Sequence, residues 1–248
     1  MLMLSDFLTA LGFLTVIPLG QEKIQPERMA GMMSFFPVVG LLIGSILAFF
    51  DYLAKGLLPR QVTDALIIAF LAFITGGLHL DGIADTADGL IGGKGDREKA
   101  LAIMKDSRTG AMGVVAICLI LLVKFMALDS IPSDMRPGAL LLAPVLSRWG
   151  QVLVSYGSRP ARSDNSLAGS FMVYLKPAHL VAASVMAAAF AAMFGGLTGL
   201  SALAAAAIAC LLLKIFFNRS IGGETGDTIG ATSEIAEALV FIVFSAMI

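Results

Sequence analysis

Charge is what this sequence has least of: Asp, Glu, Lys and Arg make up 14% of its 248 residues, against 58% hydrophobic residues. Soluble domains carry about 25% charge. With a mean hydropathy of +0.89, the shortage excludes an ordinary water-soluble fold and makes the bilayer the natural solvent. Neither sign of charge prevails, since the net charge is −1. The chain therefore has no basic footprint of the kind that displaces counterions from phosphates, and nucleic acid is not an expected partner. Cysteine is confined to Cys118 and Cys210, both in apolar runs, where they read as small core hydrophobes and not as a disulfide or metal site. The first apolar stretch, 7–19, follows Asp6, lacks a basic flank and has no small-residue cleavage signature, so it does not read as a cleaved signal. No repeat, low-complexity tract or linker interrupts residues 1–248, which read as a single integral-membrane domain.

Crossing a hydrocarbon core takes roughly 20 mostly apolar residues. Candidate crossings lie at 30–50, 62–78, 111–128, 138–155, 180–197 and 200–217, with a seventh at 235–248 if 230–234 extends it. The expectation is an all-α, polytopic helical bundle of about seven spans. The 7–19 segment, ending at Pro18, is too short to cross and is expected to be interfacial or re-entrant. Lys and Arg separate by alternate connections. One set holds Lys23, Arg28, Lys94, Arg97, Lys99, Lys105, Arg108, Arg159, Arg162, Lys176, Lys214 and Arg219, and the other holds Lys55, Arg60 and Arg136. The positive-inside rule places the first set, with the N-terminus and the connections 80–110, 156–179 and 218–233, in the cytoplasm.

The chemistry-bearing residues fall in those connections. Residues 76–93 read GGLHLDGIADTADGLIGG, which puts Asp81, Asp85 and Asp88 at i, i+4 and i+7 on one helical face. Like charges so spaced repel and call for a cation. Mg²⁺ fits, because it takes carboxylate, phosphate and water oxygens; the lack of nearby Cys and the single neighbouring His79 argue against zinc. The bland alternative is a solvated acidic helix start, and His79 reads equally as a structural or a catalytic histidine. Residues 105–113, KDSRTGAMG, set Lys105 and Arg108 before an apolar run; Arg108 suits a phosphate, or simply anchors the helix at the interface. Residues 219–237, RSIGGETGDTIGATSEIAE, combine glycines with Glu224, Asp227, Glu234 and Glu237. Glycines beside such groups free the backbone to wrap a ligand, and they also make ordinary turns. Arg148, beside Trp149 inside an apolar run, is either a substrate contact or a snorkelling or paired charge.

Taken together, GGLHLDGIADTADG, MKDSRTGAMGV and GGETGDTIGATSE, with SFFPVVG at 34–40 and LSR at 146–148, resemble the motifs of the cobalamin synthase (adenosylcobinamide-GDP ribazoletransferase) family over essentially the whole chain. Val16 stands in FLTVIP where that family commonly carries Arg, so no basic role is assigned there. The resemblance implies a multi-pass inner- or cell-membrane transferase, bacterial or archaeal, with its site on the cytoplasmic side. It would join adenosylcobinamide-GDP to α-ribazole or its 5′-phosphate with Mg²⁺ as cofactor, and a homo-oligomer is open to such an architecture. It further implies Asp81, Asp85, Asp88, Asp227 and Glu234 toward the metal, and Asp88, His79 and Arg108 in catalysis. Lys105, Arg108, Arg148, Arg219, Gly223, Thr225, Asp227 and Thr228 would contact substrate. Two other readings stay open: a CDP-alcohol phosphotransferase, which also sets spaced Asp residues at the interface, and a non-enzymatic transporter, whose ionisable residues usually lie within spans.

Overall fold

The computed structural model describes residues 2–19, 30–162 and 167–247. Lys23 and Arg28, counted toward the orientation, lie outside the described residues. The fold is all-helical: α1 (Leu2–Leu14), a 3₁₀ turn (Met33–Phe35) leading into α2 (Phe36–Ala54), α3 (Arg60–Ile74), α4 (Leu78–Gly93), α5 (Arg97–Met104), α6 (Ala111–Ser130), α7 (Arg136–Ser155), α8 (Leu167–Tyr174), α9 (Pro177–Ile221) and α10 (Gly226–Ser245). Among the described residues, strand pairing is limited to two isolated bridges.

Five stretches, Ala30–Ala54, α6, α7, α9 and α10, are long and apolar enough to cross a membrane, and α3 with α4 forms a sixth if that broken pair is one span. The expected crossing 62–78 is broken near its end because Gly76 and Gly77 adopt φ +62° and +72°, a region glycine enters without a Cβ penalty. The chain bends by 85° there. The acids expected in a connection therefore lie on α4, a regular helix. The expected crossings 180–197 and 200–217 belong to one element, α9, whose backbone leaves helical geometry at Gly196. A Cβ on Gly199 would sit 2.1 Å from the Ala191 carbonyl oxygen, whereas eight residues of straight helix span about 12 Å. So α9 folds back as two arms, each with a buried stripe four residues apart: Ala183, Ala187 and Ala191, then Ala202, Ala206 and Cys210. The last crossing also starts earlier than expected, at Gly226, where the Thr225 hydroxyl accepts from Thr228 N–H as an N-cap. Helix α1, with 13 residues, is too short to cross, and the segment after it ties back through Val16 N–H to the Ile74 carbonyl at 2.8 Å.

Helix α7 is the centre of the bundle, packed by α2, α9 and α10. Pro144 inside it has no N–H to give Leu140, and α2 comes close over that opened stretch through Gly40 and Gly44. A Cβ on Gly44 would lie 2.7 Å from the Leu140 and Leu141 oxygens, and one on Gly40 2.4 Å from Pro144 O. Small residues four apart are how helices approach closely in lipid, where burial from water no longer drives association.

Charges inside this apolar bundle are paired. Lys124 on α6 reaches Glu234 at 2.5 Å and Glu237 at 2.7 Å on α10, and Arg148 on α7 reaches Glu237 at 2.6 Å. At the other end of the bundle Arg136 holds Asp51 at 2.8 Å and also Asp64. Breaking such a pair leaves a buried charge uncompensated. For the α2–α7 contact, Gly44→Val should lower stability by about 1–3 kcal/mol or more, the range for overpacking. Thermal melting in detergent should show this, with Ser45→Val, exposed on the same helix, nearly silent.

Candidate active site

The junction of α3 with α4, the C-terminal end of α7, the N-terminal end of α10 and the tail of α1 meet around one cavity of about 200 Å³. Its polar side is formed by His79 and Asp81 of α4, Gln151 and Ser155 of α7, and Asp227 of α10. Glycines permit the convergence: a Cβ on Gly82 would stand 2.7 Å from the Asp227 carbonyl oxygen, and one on Gly230 3.4 Å from the His79 Cα. Asp85, one turn beyond Asp81, feels the negative charges of Asp81, Asp227 and Asp88, and against them the positive charge of Arg162. Arg162 donates to Asp227 Oδ2 at 2.9 Å, and the Thr225 hydroxyl lies 3.3 Å from the same oxygen.

Several residues singled out in sequence are placed differently. Both carboxylate oxygens of Asp88 accept from backbone, Oδ2 from Gly110 N–H at 2.6 Å and Oδ1 from Gly113 N–H at 2.9 Å. Asp88 thus holds the N-terminus of α6, where a negative charge is favoured, and its oxygens are not turned to the cavity. Glu234, grouped with the metal-binding acids, is buried on Lys124, and Arg148 is buried on Glu237 and 3.1 Å from Ser147; neither lines the cavity. Arg108 points away from it, 87% exposed, with its fork on Asp106 through Nε at 3.0 Å and Nη2 at 2.5 Å. That pairing holds the Asp106 carboxyl down at about 2. Lys105 and Arg219 are exposed, after α5 and near the end of α9. Gly223 lets the 222–224 segment lie flat on 159–161: a Cβ there would fall 2.2 Å from Arg159 O, while Glu224 N–H donates to Arg159 O and Ala161 N–H to Glu224 O. Thr225 and Thr228 cap α10 reciprocally.

Sequence reasoning passed over Arg162, Gln151 and Lys124. Arg162 was counted only toward orientation, although it follows Arg159 in a short RPAR run. Lys124 stands alone in an apolar run, which by itself demands a counter-charge. Gln151 Nε2 lies 3.0 Å from His79 Nε2 and 2.8 Å from Ser233 Oγ, and Ser233 lies 2.6 Å from Ser147 Oγ. This polar chain joins the cavity to the buried ion pairs.

Among the described residues, no group of three or more His, Cys, Asp or Glu side chains is arranged to hold a metal unaided. The donor set fits an ion that takes one or two carboxylates and completes its shell with phosphate and water: Asp81 and Asp85 offer oxygen only, no thiol is near, and negative charge exceeds positive around Asp85.

The profile of the cobalamin-5-phosphate synthase family matches residues 6–245. The chain belongs to that family. It is similar to an adenosylcobinamide-GDP ribazoletransferase of Geotalea daltonii, 42% identical over 99% of this chain and 98% of the relative. A protein of the same name from Syntrophobacter fumaroxidans is 41% identical over 96% of this chain and 97% of the relative, and one from Pseudomonas fluorescens is 36% identical over 95% and 97%. No solved structure matches. Family membership decides among the readings left open by the sequence in favour of the transferase.

In this family member the Gly-rich loop also carries a buried acid. Glu224 is 1% exposed, its Oε2 accepts from the Thr228 hydroxyl at 2.6 Å, and its Oε1 has no partner. Burial pushes its carboxyl up to about 7, against the lowering effects of Thr228 and Lys214. A carboxyl that holds its proton more tightly when folded makes the native state lose stability as pH rises from the unfolded value, about 4.3, toward 7. Wild-type melting should therefore fall across that window, and Glu224→Gln should flatten the fall. At pH 8 the variant should be the more stable, by up to about 3 kcal/mol.

Proposed function

We propose that this chain joins adenosylcobinamide-GDP to α-ribazole, or to α-ribazole 5′-phosphate, giving adenosylcobalamin or its 5′-phosphate and releasing GMP. The observation that carries the reading is the convergence of acids from two distant motifs in a family member: Asp81 and Asp227 line one cavity, with Asp85 close enough to feel both charges and Arg162 bonded to Asp227. In the reaction a ribose hydroxyl oxygen bonds to the pyrophosphate phosphorus on the corrinoid side. The bridging P–O bond to GMP breaks, and the hydroxyl proton is lost. Such transfers depend on alignment and on neutralising charge around the phosphates.

The chain's own groups meet these needs in order. Arg162, already beside the acids, presents a planar fork that can hold two phosphate oxygens; Arg108, turned outward on Asp106, is not assigned that task. Asp227 lines the cavity from α10 and accepts the proton of the attacking hydroxyl. Asp81 and Asp85 are the residues that would hold Mg²⁺, which when bound neutralises pyrophosphate charge. Asp88 secures the start of α6 behind them. Lys105, after α5, and Arg219, in the last turn of α9, are exposed and add positive charge toward a large anionic substrate. We assign this end of the bundle to the cytoplasmic side of the cell membrane, from the Lys and Arg excess in the connections there.

The test is GMP release by purified protein in nanodiscs. Release is expected only with both substrates and Mg²⁺ present. Asp81→Ala or Asp85→Ala should reduce it by roughly 10²-fold or more, as loss of a metal ligand does. Asp227→Asn should lower kcat by about 10²–10⁴-fold, the share of general base catalysis, without changing the Mg²⁺ concentration for half-activation. Full turnover in the Asp81 and Asp85 variants would contradict the assignment.

A further inference from the structure

The cavity has two unlike walls. Facing its acids and amide is an apolar side made by Phe13, Met33, Phe36 and Ile229. The Phe13 and Phe36 rings stack nearly parallel, 15° apart with centroids 6.2 Å apart, and both line the cavity. The polar wall contains a hydroxyl with nothing to bond: Ser155 is fully buried and its Oγ has no partner. Of the other buried hydroxyls in helices or just past their ends, Thr15, Thr75, Ser158 and Thr232 each donate to the carbonyl four residues earlier, while Thr86 on α4, which does not line the cavity, is also without a partner. Burying a hydroxyl unsatisfied is unfavourable, so Ser155 Oγ is poised for an acceptor that arrives from within the cavity.

We propose that this cavity seats the base of the acceptor nucleoside, a two-ring aromatic heterocycle, with Ser155 donating to its unsubstituted ring nitrogen. The inference rests on the transferase reading above. The base packs against the Phe13 and Phe36 rings, where aromatic contacts are favourable, and the attached ribose then extends toward Asp81 and Asp227. Size agrees: about 200 Å³ falls below the ~300–1,000 Å³ of pockets for drug-sized ligands, which suits a bicyclic base and excludes the corrin macrocycle. The corrinoid nucleotide therefore approaches from outside the cavity, across the Arg162 side. Ser155 would then be a specificity residue that reads the nitrogen of the base.

Equilibrium dialysis of the purified chain in nanodiscs tests this without turnover. The ligands are α-ribazole and the analogue in which the free ring nitrogen is replaced by C–H, an indole riboside. Wild type should bind α-ribazole roughly fivefold to tenfold more tightly than the analogue, as one hydrogen bond allows. Ser155→Ala should lose that factor for α-ribazole and bind the analogue as wild type does. In the turnover assay the same variant should raise KM for α-ribazole and leave KM for adenosylcobinamide-GDP unchanged. If wild type does not discriminate between the two ligands, or Ser155→Ala weakens both equally, the proposal is overturned; the wild-type comparison stands even if the variant does not fold. Discrimination without GMP release would sink the transferase reading and leave the base pocket standing. GMP release without discrimination would do the reverse.

Discussion

Two helices can share one charged face only where their backbones come close, and here that closeness is set by Gly82 against the Asp227 carbonyl and Gly230 against His79. Any Cβ at Gly82 would push α4 and α10 apart and separate Asp81 from Asp227, residues 146 positions distant in the chain. The bend at Gly76 and Gly77 serves the same contact. It turns α4 off the axis of α3, so the acid-bearing face crosses the end of α10 instead of continuing along the bundle.

Holding that contact in an apolar surrounding requires that α10 be fixed from behind, and the buried ion pairs do this. Lys124 and Arg148 balance Glu234 and Glu237, two positive charges against two negative, at distances of 2.5–2.7 Å. A complete network of this kind contributes little net stability, because desolvation offsets the attraction. What it secures is register: sliding α10 by one turn would leave charges unpaired in a bundle core. Ser147, Ser233 and Gln151 carry the same registry to His79 at the cavity.

Much of this was readable from residues alone. The i, i+4, i+7 spacing placed Asp81, Asp85 and Asp88 on one helix, as they are on α4, and the run of glycines and acids from Arg219 to Glu237 contains the Asp227 that meets them. The helical class followed from hydropathy; for Arg148 hydropathy left a substrate contact and a snorkelling or paired charge open, and the structure pairs it with Glu237. Spacing could not say which acid faces the cavity, because Asp88 shares the face but meets Gly110 and Gly113, a contact made across 22 and 25 residues. Glu234 looked like a site acid because its partner, Lys124, comes from a different span. Arg162 and Ser155 carry no local pattern that distinguishes them from an anchor and an ordinary helical serine. The crossing expected over 62–78 turns at its end because hydropathy averages over Gly76 and Gly77, while their positive φ decides the path.

The central claim is that one site is built from α4 and α10 together. Iron-directed backbone cleavage measures this most directly: Fe²⁺ is substituted for Mg²⁺ in the presence of adenosylcobinamide-GDP, peroxide is added, and the cut positions are read by mass spectrometry. Cuts in both the 78–88 and the 224–230 segments, abolished together by Asp81→Ala, are the predicted result. Cuts confined to one segment, or cuts around Glu234 that survive that substitution, would contradict the account.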